Sequence, residues 1–314
     1  MARVFVIGGA NIDIFARSDE KIIPHDSNIA KISFSYGGVG RNISENITNL
    51  GEDIYFVSAF SNDYFGKKIA QDCLDKGFNL AFSKFVDNVP SSIYISIFDN
   101  DGGTYVSCND MEICNCIDQN MIFDLINVIT DEDYVIVDTN LNEDTITYIF
   151  DNLKGKKIVD AVSVNKIHRL QKVIKRIDIL KLNRIEAETV YNGKLIEDAD
   201  YINLLNQMTF ESDREVVITN SEGVYVGYHN EVYFYGHNEL VDSLKKDAGA
   251  GDAFLAAYVY GDLHKVNIES KCCLGLAASR LTILSGDSVA KYNIHDVSKQ
   301  LTRMHIKGGK LKTN

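Results

Sequence analysis

The sequence predicts an α/β protein: a doubly wound, mainly parallel sheet flanked by helices, with a small β-sheet lid. Three observations carry that expectation. From Asp118 onward short apolar β runs alternate with helical segments across short connections, the pattern of a parallel sheet covered on both faces. Two earlier β-only patches, about 28–36 and 91–108, do not fit the alternation and are expected to form the lid. No linker rich in Pro, Gly or Ser interrupts the chain, so residues 1–314 are read as a single domain. In open sheets of this kind ligands bind outside the carboxyl ends of the strands.

The elements follow in order. ARVFVIGG (2–9) is a short apolar strand closed by glycines. VGRNISENITNLG (39–51) places Val39, Ile43, Ile47 and Leu50 at helical spacing, with Gly51 as the stop. IYFVSAF (54–60) is one strand and YFGKKIAQDCLDKG (64–77) a helix. SIYISIF, DNDGG and TYVSC make a hairpin. Beyond it MIFDLINVI is helical, YVIVDT (134–139) a strand, NEDTITYIFDNLKG a helix and KKIVDA (156–161) a strand. VNKIHRLQKVI is expected to be helical, DILKLN (178–183) a strand, RIEAETVYNG and 196–210 helices, and EVVITN (215–220) a strand. GVYVGY and EVYFYG turn across His229-Asn230, and two strongly apolar helices, 251–263 and 270–284, finish the core.

A formal net charge of −12 argues against a nucleic-acid backbone or an anionic membrane as partner. It leaves room for small anionic ligands, which need only a local site. The N-terminal run is too short and too polar for a secretory leader, and no apolar stretch reaches the ~20 residues of a spanning helix. Cys73, Cys108, Cys114, Cys116, Cys272 and Cys273 show no CxxC spacing, which predicts free thiols in a reducing cytoplasm rather than a metal cluster of Cys108, Cys114 and Cys116.

Four segments carry chemistry. GGANID (8–13) fails the GxGxxG spacing of a dinucleotide loop, but offers Asn11 and Asp13 just past a strand end, either to hold sugar hydroxyls or to form an Asx turn. GGVGRN (37–42) lacks the Lys-Ser/Thr of a P-loop. Its glycines, Gly38 among them, allow close approach of backbone to ligand, and Asn42 adds an amide in the first helical turn, unless Arg41 and Asn42 merely cap the helix. In KLNRIEAE (181–188), Asn183 and Glu186 stand three apart, spaced either as a capping pair or as ligands of a hydrated Mg²⁺. In DAGAGDAF (247–254) a small-residue turn, Gly249-Ala250-Gly251, opens an apolar helix whose amides suit a phosphate. Asp252 in that first turn is either an acidic cap or a base for an attacking alcohol. The helix field is expected to hold it ionised, at or below ~4.

Together and in this order these segments resemble the ribokinase-like (PfkB) family of carbohydrate and nucleoside kinases, from Val4 to about Val289. GGVGRNISENITNLG is similar to the family's first signature, DAGAGDAFLAAYVYG to its second, and KLNRIEAE to its Asn-x-x-Glu element. The resemblance implies ATP-dependent phosphorylation of a sugar alcohol with Asp252 as base. Ala250, Gly251 and Asp252 amides beside Gly249 would form the anion hole, and Asn183 and Glu186 would organise Mg²⁺ and phosphates. Asn11, Asp13, Gly38 and Asn42 would grip the sugar. The resemblance also implies a homodimer through the lid strands. Where the family carries Thr-x-Gly-x-x-Gly, ITNSEG keeps only Gly223, with Thr219 shifted by one residue as a substitute; Ala248 stands where Thr is common.

KKIVDAVSVNKIHRL and SSIYISIFDNDGGTYVSCNDME are similar to the pseudouridine kinases within the family. That similarity implies a nucleoside 5′-hydroxyl as acceptor and makes Asn109 and Lys166 candidate base or ribose contacts. Ribose, fructose or adenosine are the alternative acceptors. A non-catalytic ligand sensor is the alternative of a different class.

Overall fold

The computed structural model describes residues 2–237 and 248–312. The chain opens with β1 (Val4–Ile7), then β2 (Asn11–Arg17), β3 (Lys31–Gly37) and α1 (Val39–Asn49). Next come β4 (Ile54–Val57), β5 (Ala59–Ser61), α2 (Tyr64–Asp75), β6 (Lys84–Val86) and the hairpin β7 (Ile93–Phe98) and β8 (Thr104–Asp110). The alternating half runs α3 (Gln119–Phe123), β9 (Tyr134–Asp138), α4 (Glu143–Asn152), β10 (Lys156–Asp160), β11 (Ile179–Asn183), α5 (Arg184–Tyr191), α6 (Asp198–Thr209) and β12 (Glu215–Thr219). It closes with β13 (Gly223–Tyr228), β14 (Glu231–His237), α7 (Ala250–Leu263), α8 (Ile268–Ser285), α9 (Ile294–Arg303) and β15 (Ile306–Lys310).

The main sheet is ordered β15-β14-β13-β12-β11-β10-β9-β1-β4, parallel from β4 to β12 and antiparallel beyond. Its parallel strands are apolar on both faces, as burial under helices on each side demands. Val4, Val6, Ile136 and Ile158 pack on the face covered by α1, α7, α8 and α9. Phe5, Ile7, Val135, Val137 and Val159 pack on the opposite face, against α3, α4 and α6. From β1 the chain crosses to β4 on one side and returns to β9 on the other. The β1–β9 boundary is therefore the topological switch point, where a crevice opens at the strand ends.

α7 is buried through consecutive residues from Ala253 to Val259, so the chain must supply small residues where neighbours approach. Gly275 of α8 is one such place: a methyl there would stand 2.7 Å from the Phe254 ring. The four-stranded lid, β3-β2-β7-β8, leads directly into α1, so lid and crevice share a root.

Several expectations need correction. IYFVSAF divides: β4 joins the main sheet while β5 pairs with β6. VNKIHRLQKVI forms 3₁₀ turns at Ile167–Leu170 and Ile174–Arg176 instead of an α-helix. Its buried Ile167, Leu170 and Val173 recur every third residue, the period that a 3₁₀ turn keeps on one face. The helix at MIFDLINVI shortens to Gln119–Phe123 and continues as single turns. Asn11 and Asp13 lie within β2, not in a turn, because NIDIFA alternates inward Ile with polar residues. β6, α9 and β15 are additional elements, and the two glycines of IKGGK conceal the last.

Phe254 is 1% exposed at the centre of the α7–α8 contact. Phe254→Ala is expected to destabilise the fold by ~3–5 kcal/mol in urea unfolding. A loss below about 1 kcal/mol would show that this contact collapses around the cavity.

Candidate active site

Four segments converge at the switch point: the Gly8–Ala10 loop after β1, the residues after β9, the start of α1 and the start of α7. The apolar strands β9 and β10 each end on a buried carboxylate, Asp138 and Asp160, both 1% exposed. Asp138 Oδ2 accepts from the amides of Gly9 (2.9 Å) and Gly40 (2.8 Å), and Oδ1 from that of Asn140 (2.8 Å). Asp160 Oδ2 accepts from Lys181 Nζ at 3.0 Å, and its Oδ1 accepts from the Val162 amide at 2.9 Å.

Lys181 sits in the middle of β11, buried, and its ammonium lies against the first turn of α7, where a methyl on Gly251 would stand 2.7 Å from Nζ. Sequence reasoning missed Asp138, Asp160 and Lys181 as site residues. The signal was present in YVIVD, KKIVD and ILKLN, where charged residues interrupt or end strands too apolar to be exposed.

The turn before α7 is built as expected. Gly249 caps the helix in the left-handed region at φ 84°, and a methyl there would strike the Ser288 carbonyl. The amides of Ala250, Gly251 and Asp252 follow, without acceptors inside the helix. Asp247, the first residue of the matching segment, lies outside the described residues.

Asp252 is 8% exposed, and its Oδ2 accepts from Asn42 Nδ2 at 2.9 Å. The expectation that it stays ionised at or below ~4 is overturned. Burial first, and the neighbouring Asp160 second, push its carboxyl up to about 7 against the opposing pull of Lys181 and the Asn42 hydrogen bond. Desolvation outweighs the partial charge of one helix end.

The remaining sequence-predicted groups gather beside it. Gly38 adopts φ 100° and packs on the Gly9 carbonyl, where no side chain fits. Asn11 Nδ2 donates to Asp13 Oδ1 at 2.6 Å. Asn42 Oδ1 is buried with no hydrogen-bond partner among the described residues, an exception to the usual pairing of buried acceptors. Lid register aligns Ser35, Asp13, Tyr94 and Asn109 in one row across four strands, so their side chains share a face. Asn109 itself is exposed, ~10 Å from Asp13 by two strand spacings. Lys166 is half-buried and donates to Asn140 Oδ1 at 2.5 Å, in the same crevice as Asp138. Burial lowers its pKa.

The nucleotide-side candidates are less concentrated. Asn183 and Glu186 form a reciprocal capping box: Glu186 N donates to Asn183 Oδ1 (2.9 Å) and Asn183 N to Glu186 Oε2 (2.8 Å). Glu186 is 1% exposed, and burial raises its pKa. The box leaves its Oε1 outside, one carboxylate oxygen of the kind a phosphate-bound Mg²⁺ uses. Thr219 ends β12 with its hydroxyl 3.4 Å from the Leu182 carbonyl. Gly223 starts β13 so close to the Tyr235 carbonyl that a methyl would stand 2.2 Å from it, which assigns that glycine to strand pairing. Of the cysteines near the lid, Cys108 is exposed on β8, while Cys114 is buried with its thiol pushed up to about 12 by burial. Among the described residues no group of three or more His, Cys, Asp or Glu is arranged to hold a metal ion, and no helix is long and apolar enough to cross a membrane.

Comparison with known proteins places this geometry. The model of the pfkB family carbohydrate kinases matches residues 1–293, and the chain belongs to that family. It is 35% identical over 188 residues to a pseudouridine kinase of Escherichia coli K12, a match spanning 60% of each chain. It is 23% identical over 297 residues to a guanosine-inosine kinase of Exiguobacterium acetylicum, covering 92% of this chain and 96% of the relative. In fold it is similar to a carbohydrate kinase from Agrobacterium tumefaciens (TM-score 0.82, 23% identity, covering 99% and 100% of the two chains). It is also similar in fold to an Arabidopsis thaliana ribokinase complexed with ribose and ATP (TM-score 0.80, 18% identity, covering 96% and 99%).

A carboxyl raised in the folded state holds its proton where the unfolded chain has lost it. Stability is therefore lost as pH rises from ~4 through about 7. Asp252→Asn removes that ionisation and keeps an acceptor for Asn42. The variant is expected to unfold later than the parent at pH 8, by roughly 2–4 kcal/mol, with the gain vanishing near pH 4. Equal stabilities across that range would contradict the buried charge.

Proposed function

From membership of the pfkB family, which makes the chain a phosphotransferase, we propose that it phosphorylates the 5′-hydroxyl of a nucleoside from ATP, with pseudouridine as acceptor. The observation that carries this is the Asn42–Asp252 pair. Asn42 holds one carboxylate oxygen of Asp252, leaving Oδ1 for an incoming hydroxyl, while its own buried Oδ1 awaits a donor.

The acceptor hydroxyl would lie against Asp252 Oδ1 and give its proton to that carboxylate as its oxygen bonds to the γ-phosphorus of ATP, while the bond from that phosphorus to the β,γ-bridging oxygen breaks and ADP leaves. A carboxyl near 7 is well matched to that transfer, being about half ionised at neutral pH and basic enough to take the proton. The three amides at the start of α7 receive the charge on the transferred phosphoryl group, and the buried Lys181 ammonium beneath Gly251 strengthens their field. Glu186, with Asn183, would hold Mg²⁺, which when bound draws charge from the phosphates as a Lewis acid. Asn11, Asp13, Gly38 and Asn42 frame the ribose. Lys166 and the lid row ending at Asn109 face the base, where pseudouridine presents one more N–H donor than uridine.

The similarity to the Escherichia coli pseudouridine kinase supports that acceptor over ribose, fructose or adenosine. A pairing of two copies through the lid belongs to the same reading. Phe34, Ile32, Ile95 and Val106 lie on the lid face opposite Asp13, exposed by 70%, 73%, 40% and 43%. An apolar patch of that kind is covered in a stable assembly.

In a coupled assay with Mg²⁺ and ATP, pseudouridine is expected to turn over faster than uridine, ribose, fructose and adenosine. Preference for another member of the panel would reassign the acceptor. Asp252→Asn should lose at least ~10³-fold in kcat while remaining folded. Near-parental turnover would remove Asp252 as the base. Phe34→Asp is expected to shift the protein from dimer to monomer in sedimentation, and an unchanged species would rule out this face.

A further inference from the structure

We propose that Asp138 is a positioning residue: from β9 it caps α1 across the switch point and fixes the two acceptor-binding loops against each other, without touching the acceptor. α1 begins on Gly38, which has no side chain to satisfy the first helical amides. Asp138 Oδ2 performs that task from a different strand, accepting from Gly40 N at 2.8 Å. The same oxygen accepts from Gly9 N at 2.9 Å, so one atom ties the loop leading into β2, the strand of Asn11 and Asp13, to the helix carrying Asn42.

The two backbones touch at this point. A methyl on Gly8 would stand 2.3 Å from Asp138 Oδ2, and one on Gly40 would stand 2.9 Å from Gly8 Cα and 3.0 Å from Oδ2. Gly8 and Gly40, one from each motif, are thus explained by the carboxylate between them, beyond any approach of ligand. With Oδ1 held by Asn140 N and the residue 1% exposed, Asp138 offers no oxygen to a bound molecule. Its consequence is geometric. A loop displaced by a fraction of an ångström would misplace Asn42 against both the acceptor and Asp252.

The reading above names the ligand groups that Asp138 positions, whereas the staple itself can be observed without turnover. Asp138→Asn keeps the volume but sets an N–H donor against one of the amides. Amide hydrogen exchange is expected to quicken together at residues 8–11 and 38–42, with α8 unchanged. KM for the acceptor is expected to rise by about tenfold while KM for ATP stays within about twofold. Gly40→Ala, which parts the backbones and leaves the carboxylate, should reproduce that split if the first variant folds poorly. Unchanged exchange in both loops, or protection lost evenly over the whole sheet, would overturn the inference. If the parent phosphorylates no acceptor, the kinase reading fails and exchange alone decides the role of Asp138.

Discussion

A carboxylate held out of water at the amino end of an apolar helix is the constraint on which this molecule turns. Asp252 is destabilised by burial and by Asp160 and Asp138, and stabilised by Lys181 and Asn42. Each of these groups ends or occupies a different element: α7, β10, β9, β11 and α1. The balance therefore exists only when the sheet, its switch point and both helices are assembled. Charge placed this way is costly to the fold and useful to chemistry, because a base near neutrality needs that environment.

The connectivity explains how the chain brings the groups together. β1 sends the chain into the lid, the lid returns it to α1, and α1 lies over the same strand ends from which Asp138 and Asp160 project. Residues that would frame the acceptor thus belong to the lid root, while those that would serve the phosphoryl group belong to the start of α7. The Asn42–Asp252 hydrogen bond links the two sets directly. A buried network at the opposite strand ends, Lys271 with Glu215 and Asp262, anchors the far end of α7. The helix is fixed at both termini.

Much of the fold was legible because the signals were periodic. Apolar runs bounded by turns gave the parallel strands, and GGVGRN and DAGAGDAF gave the helix starts, since their glycines have steric reasons that any solution of this geometry shares. The 3₁₀ turns after β10 were misread because a period of three mimics helical spacing over a short window. Lys181, Asp160 and Asp138 were overlooked because a charge in an apolar run carries meaning only once its partner is known, and the Lys181–Asp160 pair and the Gly9 and Gly40 amides on Asp138 join residues 21, 129 and 98 apart. Asp252 stands in the first turn of a helix as expected, but its ionisation was misjudged, because the helix end is visible in sequence while burial and the second carboxylate are not.

The account stands or falls on the protonation of Asp252 during turnover. The direct measurement is kcat/KM for the acceptor between pH 5 and 9, which reports essential groups of the free enzyme. A single acid limb with a midpoint near 7, as the buried carboxyl predicts, would place the proton on Asp252. A profile flat down to pH 5 would mean that Asp252 is not the group that must ionise.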